Sequence, residues 1–173
     1  MRHALVRALL LTVIVVSTTG GHALAQRNQA RIVEVPGAPL EIATYEARYT
    51  SLPPDQTGVI EHTVTLRNIA GQEVVAFGIG FASFDAFNRY MGRPFTGVTI
   101  ATPSLAIDGR TEEMVWTQAR SDAFTFRRYG LGVAYVSLVR LVDGTIWEAD
   151  LDYVLDQLQE IEGSLTLEDL DEE

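Results

Sequence analysis

Apolar and polar residues alternate most regularly near the middle of the chain. In Val59–Asn68 (VIEHTVTLRN), Ile60, Val64 and Leu66 fall on one face together with His62, while Glu61, Thr63, Thr65 and Arg67 take the other. A period of two is that of a half-buried β-strand. Val74–Phe84 (VVAFGIGFASF) sets Val75, Phe77, Ile79 and Phe81 on one side. Gly78, Gly80 and Ala82 on the other side leave room for a close neighbour, a bulge or a packed sheet. Leu40–Thr50 (LEIATYEARYT) holds β-formers but alternates only in part. Phe95–Ala101, Arg110–Gln118, Ala123–Arg128 and Gly132–Leu141 are further predicted strands. Turn or loop chemistry separates them at Ser51–Gly58, Asn68–Gly71, Asp85–Pro94, Pro103 and Asp108-Gly109.

The stretch LVRLVDGTIWEAD (Leu138–Asp150) predicts a hairpin, because Asp143-Gly144 lies between two β-rich runs and glycine adopts positive φ without steric cost. Asp143 is then a turn residue, and Trp147 is explained by burial of its ring. Beyond it the period changes. Leu151, Val154, Leu155, Leu158 and Ile161 recur at helical spacing, predicting an amphipathic helix over 151–162 that ends at Gly163. SLTLEDLDEE (Ser164–Glu173) reads as a frayed acidic end. Seven or so short strands with regular turns predict a mainly β, Ig-like antiparallel β-sandwich over 40–150, with a short C-terminal amphipathic helix and an acidic tail at 163–173. Residues 26–39, punctuated by Pro36-Gly37 and Pro39, predict a leader with at most a short edge strand at Ile32–Val35.

The N-terminus reads as an address. Arg2, His3 and Arg7 precede an apolar run, Ala8–Val16, and Gly20-Gly21 precedes a small-x-small site at Ala23-Leu24-Ala25. That is the layout of a secretory signal peptide, 1–25, and the run is about half the ~20 residues that a membrane span requires. The expected setting is periplasmic or secreted and bacterial, with no membrane span after cleavage. Residues 26–173 suit one domain. With no cysteine, such a domain relies on its core alone.

Charge is unevenly placed. Gln26–Trp147 carries 11 arginines against 12 acids, whereas Glu148–Glu173 carries 11 acids and no arginine. A body so near neutrality lacks the basic surface that nucleic acid requires. The basic residues are 13 arginines and no lysine, a compositional association with GC-rich bacterial genomes.

The stretch TVTLRNIAGQEVVAFGIGFASFDAFNRYMG (Thr63–Gly92), with SLAIDGRTEEMVW (Ser104–Trp116) after it, resembles bacterial extracytoplasmic Ig-like domains of the FxLYD kind. The matching positions are Asn68 at a strand end, Phe84-Asp85 closing the next strand, and Asn88; Asp108-Gly109 stands in for a later Pro-Gly-like turn. The Val139–Trp147 hairpin is similar to an aspartate-glycine-x-x-tryptophan ending found in many exported bacterial proteins. The resemblance covers about half of the chain after residue 25. It implies a binding, spacing or assembly module and brings no catalytic residues. The final helix and acidic tail stand outside it.

Candidate chemistry narrows the choice. Zinc sites draw on Cys, His and carboxylates, and His62 is the one histidine after residue 25. A Ser-His-Asp triad would need His62, and no G-x-S-x-G surrounds a serine; an inward His62 reads as a hydrogen-bonded core residue. Glu112-Glu113 would face opposite ways on a strand. Asp150, Asp152 and Asp156 are the weak candidates for a cation, without the glycine and closing glutamate of an EF-hand loop. The acidic end, Glu168, Asp169, Asp171, Glu172 and Glu173, is the candidate docking segment for a basic partner. The expectation is therefore an exported, non-enzymatic Ig-like binding or assembly module without cofactor, whose partner is another envelope protein. The rival readings are a hydrolase using carboxylates brought together by folding, and a strand-exchanging subunit in which Gln26–Val35 pairs with a neighbour's open edge.

Overall fold

The computed structural model describes residues 29–50, 58–92, 95–119 and 128–170. The signal-peptide reading at 1–25 and most of the strand expected at Ala123–Arg128 lie outside the described residues. Within them the chain is mainly β and forms a sandwich of two sheets with one short α-helix near its C-terminus. The strands are β1 (Gln29–Val33), β2 (Leu40–Thr50), β3 (Val59–Asn68), β4 (Val74–Asp85), β5 (Phe95–Leu105), β6 (Met114–Ala119), β7 (Tyr129–Leu141) and β8 (Ile146–Glu148). One sheet has the order β1-β7-β4-β5, and β8 also pairs with β7; the other has the order β2-β3-β6.

Alternation decides the layers. Ile60, His62, Val64 and Leu66 of β3 are buried, as the period of two predicts, and they meet Phe77, Ile79 and Phe81 of β4 between the sheets. β2 alternates only in part because its register with β3 shifts between Ile42 and Thr44. The irregularity moves the inward set from Leu40 and Ile42 to Tyr45 and Ala47. β7 behaves differently. Its run LGVAYV (Leu131–Val136) is buried throughout, the pattern of a strand covered on both faces. Ala134, Val136 and Val139 point between the sheets, while Leu131, Val133 and Tyr135 point outward into a second core. Gly80 permits this crowding, since a Cβ there would run into the Tyr135 ring.

That second core is closed by the helix α1 (Leu151–Gln159) and by the segment that runs on from it to Leu170. Val154 and Leu158 pack with Ala82, Phe84, Leu131 and Val133. The helix is shorter than the predicted 151–162. It ends at Gln159, where the Ile161 and Glu162 amides both turn back to the Leu158 carbonyl, so Gly163 is not its cap. The acidic end also departs from the frayed reading as far as Leu170. Leu165 and Leu170, each 4 % exposed, are buried in the second core. The Gln159 amide donates to the Leu165 carbonyl at 2.8 Å, and the Glu162 carboxylate accepts from the Tyr90 amide. Apolar residues spaced through the acidic stretch supply the reason, because each contributes burial that charge counting ignores.

From Gln29 onward the leader also folds. Its edge strand is Gln29–Val33 rather than Ile32–Val35, and it runs parallel to β7 with Gln29 opposite Leu131 and Val33 opposite Tyr135. β1 thus takes one half of the β7 edge and β8 takes the other, at Leu138–Arg140. Two strand boundaries move as well. β6 begins at Met114, after exposed Glu112 and Glu113. β5 runs on through Pro103, which sits where the register with β4 jumps between the Ala76–Ile100 and Val74–Leu105 pairs. Proline is tolerated there because β5 is an edge strand and that stretch asks nothing of its missing N–H.

Candidate functional site

The residues with the most chemistry lie inside the sandwich. His62 is 0 % exposed. Its ring stacks on Phe81 with centroids 4.3 Å apart. The Gln118 carbonyl oxygen lies 3.3 Å from His62 Nε2 and also accepts from Ser83 Oγ at 3.2 Å. Nε2 therefore carries the proton and Nδ1 accepts from the Tyr45 hydroxyl at 3.0 Å. Burial pushes the imidazole pKa down to about 4, against a smaller opposing effect of the Gln118 hydrogen bond. Burial likewise raises the Tyr45 and Tyr129 hydroxyls above the ordinary phenol. These two hydroxyls converge over Gly132, where a Cβ would run into both. The cluster is a neutral polar clamp between the sheets. His62 has no solvent-facing surface and its ring nitrogens face Tyr45 and Gln118, so it is not arranged to activate a serine or a water. Sequence parity placed His62 inward but missed Tyr45, Ser83 and Gln118; Gln118 lies two residues beyond Trp116 and so shares its inward face.

The motif residues are structural anchors. Buried Asn68 donates to the carbonyls of Gln72, Leu105 and Ala106 and accepts from the Ala70 amide, tying the β3–β4 turn to the end of β5. Asp85 Oδ1 accepts from the Phe87 and Arg89 amides at 2.8 and 3.0 Å. Asn88 in that turn has φ 61°, and Asp108 has φ 58°. Both are among the non-glycine residues that tolerate the left-handed region.

The Leu138–Asp150 stretch is a hairpin. The Gly144 amide donates to the Leu141 carbonyl, the Leu141 amide to Thr145, and Gly144 has φ 89°. This is a type I turn closed by a left-handed glycine. The Thr145 amide and then the Gln72 amide hold the Asp143 carboxyl below its usual range. Trp147 packs against both cores, and Glu148 is exposed.

The three cation candidates do not converge. Asp150 caps α1, its Oδ1 accepting from the Asp152 and Tyr153 amides, while Asp152 and Asp156 are exposed along the helix. Among the described residues, no group of three or more His, Cys, Asp or Glu side chains is placed to hold a metal ion. Of the docking candidates, Asp169 caps a 3-10 turn by accepting from the Thr166 amide and hydroxyl, each at 2.9 Å, and Glu168 is exposed. Asp171, Glu172 and Glu173 lie outside the described residues. No described helix is long and apolar enough to cross a membrane.

Sequence reasoning also missed a cleft of about 410 Å³ on the side of the sandwich where β1 passes to β2. Ile32, Leu40, Ile42 and Val136 are among its apolar lining, with Ile69 half exposed; Glu34 and Glu41 are its acidic members. Arg67 lies 3.7 Å from Glu41. The recess is large enough to seat a side chain or two of a bound segment, with Glu34 and Glu41 beside the apolar lining. No period could disclose it, because it forms where residues from both sheets and the connecting turn meet.

No family model and no curated protein matches the chain. Several solved structures are similar. A hypothetical protein from Peptoclostridium difficile 630 superposes with a TM-score of 0.50 at 9 % identity, covering 70 % of this chain and 92 % of that one. A Northeast Structural Genomics Consortium target gives a TM-score of 0.42 at 14 % identity, covering 64 % and 80 %. The first likeness speaks for the fold alone.

Proposed function

We propose that the protein is an exported, non-enzymatic Ig-like module of the FxLYD kind that binds another protein in the bacterial envelope, periplasmic or secreted. The observation that carries the reading is the cleft between β1 and β2, an apolar recess with glutamates at Glu34 and Glu41. Support also comes from how the polar side chains are employed. His62, Asn68, Asp85, Asp143 and Asp150 are each held by hydrogen bonds inside the fold's own core, turns or caps. Of the segment expected to seek a neighbour's edge, Gln26–Val35, the strand Gln29–Val33 pairs with β7 of its own chain.

The test is crosslinked capture from envelope extract, comparing the wild type with Ile69→Trp. Ile69 is half exposed at the cleft, so a larger ring fills the recess without entering the core. A partner held by the wild type and lost by the variant supports the reading. Identical captures by both would sink it.

A further inference from the structure

The edges of the sandwich are not equally guarded. β2 carries Glu41, Glu46 and Arg48, and β1 carries Arg31, paired with Glu160 at 2.6 Å. β5 (FTGVTIATPSL) carries no charge over 11 residues. It ends its sheet, with β4 on one side and no strand on the other among the described residues. Its first half, Phe95–Ile100, pairs with β4 in unbroken register. Val98 and Ile100 point to solvent, 64 % and 76 % exposed. β6 is also uncharged, but Val115 is its one large hydrophobic side chain exposed to solvent, against Val98 and Ile100 on β5. Natural sheets protect long edges with charge, bulges or cover, because unpaired N–H and C=O groups invite another strand.

We propose that β5 pairs with β5 of a second copy of this chain, antiparallel across a two-fold axis near Val98. The two four-strand paths then join into one continuous sheet. The proposal goes beyond the proposed function, which concerns the cleft, and stands on β5 alone. Self-pairing explains why charge is missing. At a two-fold axis the central residue meets its own copy and its neighbours lie close to theirs, so a charge there would be brought near a like charge. With the axis at Val98, the two Val98 side chains adjoin and Thr96 lies beside Ile100 of the second copy, giving one row of β-branched contacts. The Pro103 bulge confines regular pairing to Phe95–Ile100, which pins the register. The acidic C-terminal segment stays clear. α1 and Leu165–Leu170 cover the part of the sheet built from β1, β7 and the end of β4, leaving the outer face beside Val98 and Ile100 uncovered.

Sedimentation of the full chain across a wide concentration range tests this, alongside Val98→Lys, Val98→Glu and their equimolar mixture. Circular dichroism checks that each variant keeps its sheet content. The expected result is a wild-type dimer, each variant alone sedimenting at half the wild-type mass, and the dimer restored in the mixture as lysine meets glutamate. A wild type that stays monomeric at every concentration overturns the proposal. So does a dimer that Val98→Lys leaves intact, or folded variants whose mixture stays monomeric. A monomer that still captures a partner through the cleft sinks β5 pairing alone, whereas loss of cleft-dependent capture with the dimer intact sinks the binding reading alone.

Discussion

Lowering the pH should weaken this fold through one residue, His62. Its folded pKa is about 4, against about 6.5 for an exposed histidine. Between these values the unfolded chain takes up a proton that the folded chain refuses. The stabilisation is therefore complete above pH 6.5 and is lost as pH falls toward 4. A difference of about 2.5 units at 1.36 kcal/mol each corresponds to roughly 3 kcal/mol. That is a large fraction of the 5–15 kcal/mol typical of a domain. The cause is geometric. His62 is fully buried against Phe81, and its ring nitrogens face Tyr45 and Gln118, so an imidazolium there would meet one hydroxyl and one amide and no anion. Urea unfolding at intervals from pH 7.5 to 4.5, for the wild type and for His62→Gln, isolates the effect, because carboxylates titrate alike in both. The wild type should lose about 2.5 kcal/mol more than the variant over that interval. A wild-type-minus-variant difference that stays flat with pH, or a resonance absent from His62→Gln that titrates near 6.5 in the folded wild type, would refute the reasoning.

Substitutions at three other positions probe the packing. Asn68→Ala removes one acceptor and the donors to three carbonyls, and should cost about 2–4 kcal/mol by chemical denaturation, with Asn68→Asp little better. Gly80→Ala drives a methyl into the Tyr135 ring and should lower stability by about 1–3 kcal/mol; an unchanged melting temperature would contradict the packing. Leu165→Ala should cost about 2–3 kcal/mol, whereas the same change in a frayed tail would cost almost nothing, so equal urea midpoints would return that segment to solvent.

The strands with one wet face were the legible ones. β3 could be read from alternation, because exposure on one side writes a period of two, and the β7–β8 hairpin from Asp143-Gly144. β7 itself was recognised as a strand, but its burial on both faces hid which layer covered it. That cover came from α1 and from Leu165 and Leu170, whose few apolar positions were outvoted by surrounding acids. β5 was cut short at Pro103 because a proline breaks the ladder in a central strand but not at an edge. Of the interior cluster, His62 was placed correctly and its partners were not. Tyr45 comes into line through the irregularity between Ile42 and Thr44, which shifts the parity on which such a forecast depends. The cleft left no trace in any local window, being a void bounded by residues distant in the chain.

The parallel pairing of β1 with β7 bears on the order of folding. Gln29 meets Leu131 and Val33 meets Tyr135, so the first described strand must wait for one about a hundred residues later. A chain synthesised from its N-terminus makes β1 long before its berth exists, and closing so large a loop is slow relative to forming the local hairpins. Ile32, Val33 and Val35 remain without the neighbours that bury them until β7 is in place, so this segment is covered late however early it is made.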